Sequence, residues 1–600
     1  MINKKLAQIT KNIIERSKPT RNAYLEHITS HKGKIQRKDL SCANLAHAYA
    51  SMPNPMKEKI KENKESNFAI ISAYNDMLSA HQPFKNYPDI LKQELFRHKA
   101  FGQFAGATPA MCDGITQGYE GMELSLFSRD VIAMSVAIAL SHNVFDGAFY
   151  LGVCDKIVPG LLIGALSFGY LPSIFVPSGP MTSGISNEEK SKMRQLFAVG
   201  EISRDKLLES EMKSYHDIGT CTFYGTANSN QMLVEFMGLH LPNSAFINPN
   251  TPLREALVKK AAAHMAQNKV KAIGELISEK NIINAIIGLM ATGGSTNHTI
   301  HLIAIARAAG IIINWDDFDA ISAITPLLAR VYPNGKADVN QFEAAGGLAF
   351  IIRELLENGL LHNDVETIMG RGMEAYTKNP FLINGEILYK EGVRVSQEET
   401  ILRSVKNPFS KDGGVKILHG NIGRAVIKVS AIKEEHQSIK APAIVFHSQQ
   451  DFLQRFQNQE LQKDFIAVLP YQGPRANGMP ELHKLTPSLG ILQDQGFKVA
   501  LITDGRMSGA SGKVPAAIHI SPEALLNGNI AKIQDGDMLL LDAKNGKLEA
   551  LVDSQEWEKR KANKHDNKEA FGCGKELFAG FRAQSSSAET GAMSFGGHFQ

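Results

Sequence analysis

The apolar positions of the first two thirds of the chain fall into short unbroken runs and longer helical stretches. FAIISA (68–73) reads as a strand buried on both faces, and it delivers Tyr74, Asn75 and Asp76 at its end. A second run, Ala148 to Val153, stops abruptly at Cys154-Asp155-Lys156. Pro159 then opens a Gly- and Leu-rich segment, and a β-rich run follows from Ser173 to Val176. The order strand, helix, strand predicts a parallel βαβ unit. Proline suits a first helical turn because its missing N–H would have been unpaired there. VIAMSVAIALS (131–141) predicts a compact apolar helix, and residues 187–216 a charged helical excursion. A helix is expected to start near 226–228, just after Cys221. Residues 252–312 read as helices whose periodicity breaks at Gly293 and Gly294, as at a turn or a close approach. AGGLAFIIREL (345–355) adds another helix.

Near residue 385 the pattern shortens. VKILHGNIGRAVIKVSA, APAIVFH, DFIAVLP, KVALITD and DMLLLDAKNGKLEALV are β-like runs with Gly and Asn turns. The fold class expected is α/β. Residues 1–390 would form a large N-terminal α/β domain with parallel βαβ units, its first 65 residues a helical, peripheral segment. Residues 391–600 would form a smaller C-terminal β-barrel-like domain of swivel type. The Ser-rich stretch after Ala583 reads as flexible, with GAMSFGG able to dock.

Composition narrows the classes of function. A net charge of +4 on 600 residues gives no electrostatic reason for a nucleic-acid or membrane partner. Ile157–Ser186 lacks charge over a length that could span a bilayer, but four prolines and five glycines break it. It is expected to be a buried helix and strand. The N-terminal MINKKLAQITKNIIERSK has no apolar signal core, so a cytoplasmic protein is expected. The five cysteines are odd in number and include no CxxC pair, which speaks against a disulfide framework or a zinc ribbon.

Three cysteines fall at predicted element ends or in polar loops: Cys112 in MCDG, Cys154 in GVCDK and Cys221 in GTCTFYGTANSN. In parallel α/β sheets ligands bind beyond the carboxyl ends of the strands. Thiolates suit iron–sulfur clusters and carboxylates suit Mg²⁺ or Mn²⁺, so Cys-Asp pairs could serve two centres. Each cysteine taken alone could equally be inert packing. GPRANGMPELHK (473–484) and TDGRMSGASGKVP (503–515) are Gly-rich loops after apolar runs, able to hold carboxylate or phosphate oxygens or to be plain turns.

GVCDK, MCDGITQGYEGM, ATGGSTNH, GNIGRAVIKVSA, GPRANGMPE and TDGRMSGASGKVP together resemble the dihydroxy-acid and sugar-acid dehydratases, over nearly the whole chain. YNDMLSAHQPF, VPSGPMTSGISN and GTCTFYGTANSNQ resemble the branch acting on a phosphorylated sugar acid. The resemblance implies an iron–sulfur hydro-lyase, commonly a homodimer, with a small phosphorylated sugar acid as its partner molecule. It implies cluster ligands at Cys154 and Cys221. The dihydroxy-acid branch has a third cysteine where this chain has Ala80, so either Cys112 is the third ligand or it merely flanks Asp113. A 4Fe–4S cluster is expected over 2Fe–2S. Asp113, Asp155, Lys156 and Glu481 match a Mg²⁺ or Mn²⁺ site in which the lysine can be carbamylated, becoming an anionic oxygen ligand. Ser508 matches the serine proposed as base. Ser178, Gly179, Thr182, Ser183, Arg475 and Arg506 are the phosphate candidates, arginine because its planar fork suits phosphate. The alternatives are a dehydratase of an unphosphorylated or dihydroxy acid, which Ala80 argues against, and a non-catalytic iron–sulfur sensor, which would not need the carboxylates.

Overall fold

The computed structural model describes residues 2–32, 37–62, 64–198, 200–267, 269–507, 512–563 and 571–595. Four parallel strands form the first sheet: β1 (Asn67–Ser72), β2 (Phe101–Ala107), β3 (Gly147–Leu151) and β4 (Ser173–Val176), in the order β2-β1-β3-β4. Every residue of β1, β3 and β4 is buried, which is why these strands read as unbroken apolar runs rather than alternating ones. All four run the same way, so their carboxyl ends open on one edge. Cys112, Asp113 and the Cys154–Lys156 triplet follow two of those ends.

The uncharged stretch resolves into the helix Ile157–Ser167 and strand β4. Ten consecutive residues of the helix are buried, so it is apolar all round, as a helix enclosed by protein must be. It packs on the helices Ser125–Leu140 and His298–Ala308. A Cβ added at Gly164 would lie 2.5 Å from Val136 Cβ, and one at Gly160 2.6 Å from Arg129 O. Among the described residues, no helix is long and apolar enough to cross a membrane. The opening helix, Lys4–Lys32, is not merely peripheral. Leu6, Ile13, Tyr24 and Ile28 are buried in it, and the Arg21 guanidinium donates to the carbonyls of Gly274, Ile277 and Ala309.

Two small hairpins follow, β5 (Glu366–Thr367) with β6 (Gly370–Arg371), and β7 (Lys378–Ile383) with β8 (Glu386–Glu391). The next eight strands close a barrel: β9 (Val415–Gly420), β10 (Gly423–Lys428), β11 (Ser438–Val445), β12 (Phe465–Leu469), β13 (Val499–Thr503), β14 (Ala516–Ser521), β15 (Met538–Asp542) and β16 (Lys547–Ala550). Strands β11 to β14 are mutually parallel. The pleat divides their side chains. Ile466 and Val468 of β12 and Ala500 and Ile502 of β13 fill the barrel, while Ala467, Leu469 and Leu501 join the core of the rest of the molecule. One face of the barrel is thus part of the main core.

The segment after Ala583 also packs. Ser585 and Ala592 are fully buried, and the Arg475 guanidinium donates through Nε to Ser585 O at 2.7 Å. Serine content suggested flexibility here, but its hydroxyls and amides bond within the segment, as in Ser586 N to Met593 O at 2.9 Å.

Two consequences are testable. Gly164→Val overpacks the helix pair and should cost about 1–3 kcal/mol, read as a lower midpoint of thermal unfolding followed by circular dichroism. His519 is buried between barrel and helices, and burial holds its imidazole down at about 3, aided by Arg506. The unfolded chain protonates this ring near pH 6.5, so its stabilising effect is complete above about 6.5 and is lost as pH falls toward 3. His519 has φ 61°, which asparagine tolerates. His519→Asn should therefore make the fall in urea stability between pH 6.5 and 4 shallower by about 1.4 kcal/mol per pH unit; an unchanged slope counts against a neutral buried His519.

Candidate active site at the domain seam

Cys154 stands between β3 and the helix that follows, with φ 73°. A non-glycine residue in the left-handed region is uncommon and needs surrounding support. Asn230 supplies it, donating from Nδ2 to the carbonyls of Cys154 (2.9 Å) and Asp155 (3.0 Å). His81 Nε2 holds the preceding carbonyl, Val153 O, at 3.1 Å. Cys221 follows a bridge between Thr220 and Pro180, and Asn228 donates to its carbonyl at 2.6 Å. The predicted helix begins close behind, at Thr226. Cys112 caps the short helix Asp113–Thr116.

The three thiols act on one another. Burial pushes Cys154 well above its ordinary value, and Cys112 and Cys221 push it further. Cys221 is raised to about 12 by burial and then by Cys112, with Lys190 pulling the other way. Cys112 is raised mainly by burial. The three thiols come from distant segments and lie near enough to act on one another through charge, Cys154 buried and Cys112 and Cys221 half-buried. Such a trio carries negative charge only beside a compensating cation, which is the donor set an iron–sulfur cluster requires. All five cysteines are unpaired.

Beside the thiols, Asp113, Asp155 and Glu481 bring ligand oxygens within 4.8 Å of one another. Asp113 and Asp155 come from the sheet, Glu481 from the loop after β12. Lys156 Nζ lies 2.5 Å from Asp113 Oδ2 and 2.9 Å from Asp155 Oδ2. Arg506, from the end of β13, is fully buried. It donates to Glu481 Oε1 at 2.7 Å, to Met479 O at 2.7 Å and to Asp113 Oδ2 at 3.4 Å. A backbone bridge joins residues 481 and 506. Burial alone would raise the Asp155 carboxyl, but Lys156 and Arg506 outweigh it and hold it at about 2. Burial pushes Glu481 up to about 7 despite Arg506. Two cations thus face three carboxylates, an arrangement with room for further positive charge.

Of the anion-binding candidates, Ser178 is buried and donates to Ala80 O at 2.8 Å, and Gly179 has φ 88° against Ile247 O. Arg475 is bound to Ser585 O, and Arg506 serves the carboxylates. Thr182 and Ser183 are exposed, at His216 and Asn340. Ser508 lies outside the described residues.

Several site residues carried no assignment in the sequence. Asn297 donates from Nδ2 to Glu481 Oε1 at 2.6 Å and to Asp155 Oδ2 at 3.4 Å. It sits in ATGGSTNH, behind the αL glycine Gly293 that ends the helix Glu279–Thr292. The motif was visible, but not the direction of its amide. Ser125 donates to Asp113 Oδ1 at 2.5 Å. His301 Nε2 faces Asp155 Oδ1 at 3.4 Å, and each of these buried atoms lacks a hydrogen-bond partner.

The chain is similar to known proteins along most of its length. The family profiles described as dihydroxy-acid/6-phosphogluconate dehydratase N-terminal and C-terminal match residues 65–376 and 400–592. The phosphogluconate dehydratase of Helicobacter pylori strain J99 is 63% identical over 98% of this chain and 99% of its own. That of Escherichia coli K12 is 54% identical, again over 98% and 99%. A dihydroxy-acid dehydratase of Hydrogenobaculum is 34% identical over 82% of this chain and 87% of its own. With two profiles in order along most of its length and a thiol trio beside a carboxylate trio, the chain belongs to the dihydroxy-acid/6-phosphogluconate dehydratase family.

Proposed function

We propose that this chain is a hydro-lyase converting 6-phospho-D-gluconate to 2-dehydro-3-deoxy-6-phospho-D-gluconate and water. The observation that carries the reading is the meeting of Cys112, Cys154 and Cys221 with Asp113, Asp155 and Glu481 at one sheet edge, in a chain similar throughout to phosphogluconate dehydratases. The three cysteines would hold an iron–sulfur cluster, and three thiols suit the 4Fe–4S type, which has one iron more than there are thiols. Asp113, Asp155 and Glu481, with Lys156 as its carbamate, would hold Mg²⁺ or Mn²⁺. When bound, these groups supply Lewis acidity for the departing 3-hydroxyl and for the carboxylate and 2-hydroxyl.

The chain's own residues do the rest. Asn297 and Arg506 fix the direction of Glu481, and Ser125 that of Asp113. Ser508 would take the C2 proton; it follows directly on Arg506 and Met507, and Thr296 donates to Met507 O at 2.8 Å. The C2–H electron pair forms the C2–C3 double bond as the C3–O bond breaks. The departing hydroxide takes up a proton, in net balance the one removed from C2, and leaves as water. The enol becomes the keto acid by moving its hydroxyl proton to C3. A serine is a weak base, so this role depends on strong positive charge nearby. Thr182 and Ser183 are the candidates exposed enough to meet the phosphate. Uncharged Met134 and Ile138, exposed on the helix Ser125–Leu140, suit a homodimer face. Free thiols suit a reducing cytoplasm.

Protein purified without oxygen should be brown, contain iron and acid-labile sulfide, and dehydrate 6-phosphogluconate in preference to gluconate. Equal turnover of the two acids would sink the substrate assignment. Cys154→Ser or Cys221→Ser should remove the visible absorbance. Asp155→Asn should keep it while kcat falls about 10²–10³-fold. Arg506→Met leaves Glu481 and Asp113 short of a cation and should cost about 3–5 kcal/mol of stability; a thermal midpoint equal to wild type contradicts the charge balance described above.

A further inference from the structure

The helix Ser125–Leu140 carries a fully buried ion pair, Arg129 with Asp130, that the proposed chemistry does not use. Arg129 Nη1 donates to Gly591 O at 2.9 Å and Nη2 to Ala592 O at 2.7 Å. Asp130 Oδ2 accepts from Ser594 N at 2.9 Å and Ser594 Oγ at 2.7 Å. The same guanidinium meets His301 Nδ1 at 3.4 Å. Gly591 is pressed on the helix of His301: a Cβ there would lie 3.0 Å from Ala304 N.

Arginine has donors and no acceptor. Facing Arg129, His301 Nδ1 must accept, so the ring proton sits on Nε2. That nitrogen is the one facing Asp155 Oδ1 at 3.4 Å. We infer that residues 591–594 are a remote part of the active site: by holding Arg129 they fix the tautomer and aim of His301, which presents its N–H to Asp155. His301, Arg129 and Ser594 are positioning residues. A partner that orients a metal-binding carboxylate typically changes metal affinity 10–100-fold. The inference rests on the proposed role of Asp155 only for its metal readout.

The test is a double-mutant cycle on the full chain purified without oxygen. Mn²⁺ affinity is measured by electron paramagnetic resonance for wild type, Arg129→Lys, His301→Gln and the double variant. Exchange of the His301 ring C2 hydrogen is measured by mass spectrometry. Lysine keeps a cation beside Asp130 but cannot bond both carbonyls and the ring. Arg129→Lys should weaken Mn²⁺ binding about 10-fold or more, His301→Gln similarly, and the double variant no further. Arg129→Lys should also speed ring exchange several-fold at His301 and not at His240. A chain ending at Gln584 should behave as Arg129→Lys does. Losses that add, or His301 exchange equal to wild type, overturn the inference. Wild-type protein that binds no Mn²⁺ overturns the metal reading of Asp155 instead, and the exchange result still decides the role of residues 591–594.

Discussion

Two buried carboxylates, Asp155 and Glu481, and the half-buried Asp113 are held against two buried cations across the seam between sheet and barrel, and the site depends on that balance. An ionised side chain taken from water without a partner costs several kcal/mol. Here Asp155 stays ionised because Lys156 and Arg506 face it, while burial leaves Glu481 near pH 7. Neither set is complete alone. The sheet supplies two acids and one base, the barrel one acid and one base.

Such a cluster needs a rigid seam, and the barrel strands provide it by serving two cores at once. In β12 and β13 alternate side chains fill the barrel and the main core. The loops that carry Glu481 and Arg506 leave the carboxyl ends of these two neighbouring parallel strands. Asp504 ties them further, accepting from Gln472 N and Ala524 N at 2.8 and 2.9 Å. On the other side, the left-handed turn at Cys154 lets one short loop offer a thiol, a carboxylate and an amine. Asn230 and His81 hold the backbone carbonyls of that turn.

Much of this was legible in the sequence, for physical reasons. Strands β1, β3, β4, β12 and β13 are buried on both faces and so read as unbroken apolar runs. β14 did not, because AAIHIS carries a histidine and follows a Gly-rich loop. The acids Asp113, Asp155 and Glu481 stood in recognisable motifs, and the structure brings them together. Arg506, a phosphate candidate in the sequence, meets carboxylates in the structure: its fork suits both, and composition cannot say which it meets. His301 was hidden because a polar residue among helical apolar ones looks like ordinary packing, and Asn297 because a motif does not give the direction of an amide. The segment near Ser585 read as flexible because serine favours loops, while the ion pair that captures it lies in another part of the chain.

The separation of these charges along the chain also sets an order of events. Arg506 follows Asp113 by 393 positions. On the ribosome, then, Asp113, Asp155 and Lys156 emerge long before their second cation exists. Through most of translation this part of the nascent polypeptide must keep its acids hydrated, with the sheet edge open. Closure waits for β13 to leave the exit tunnel, which makes late synthesis the step that admits or excludes solvent.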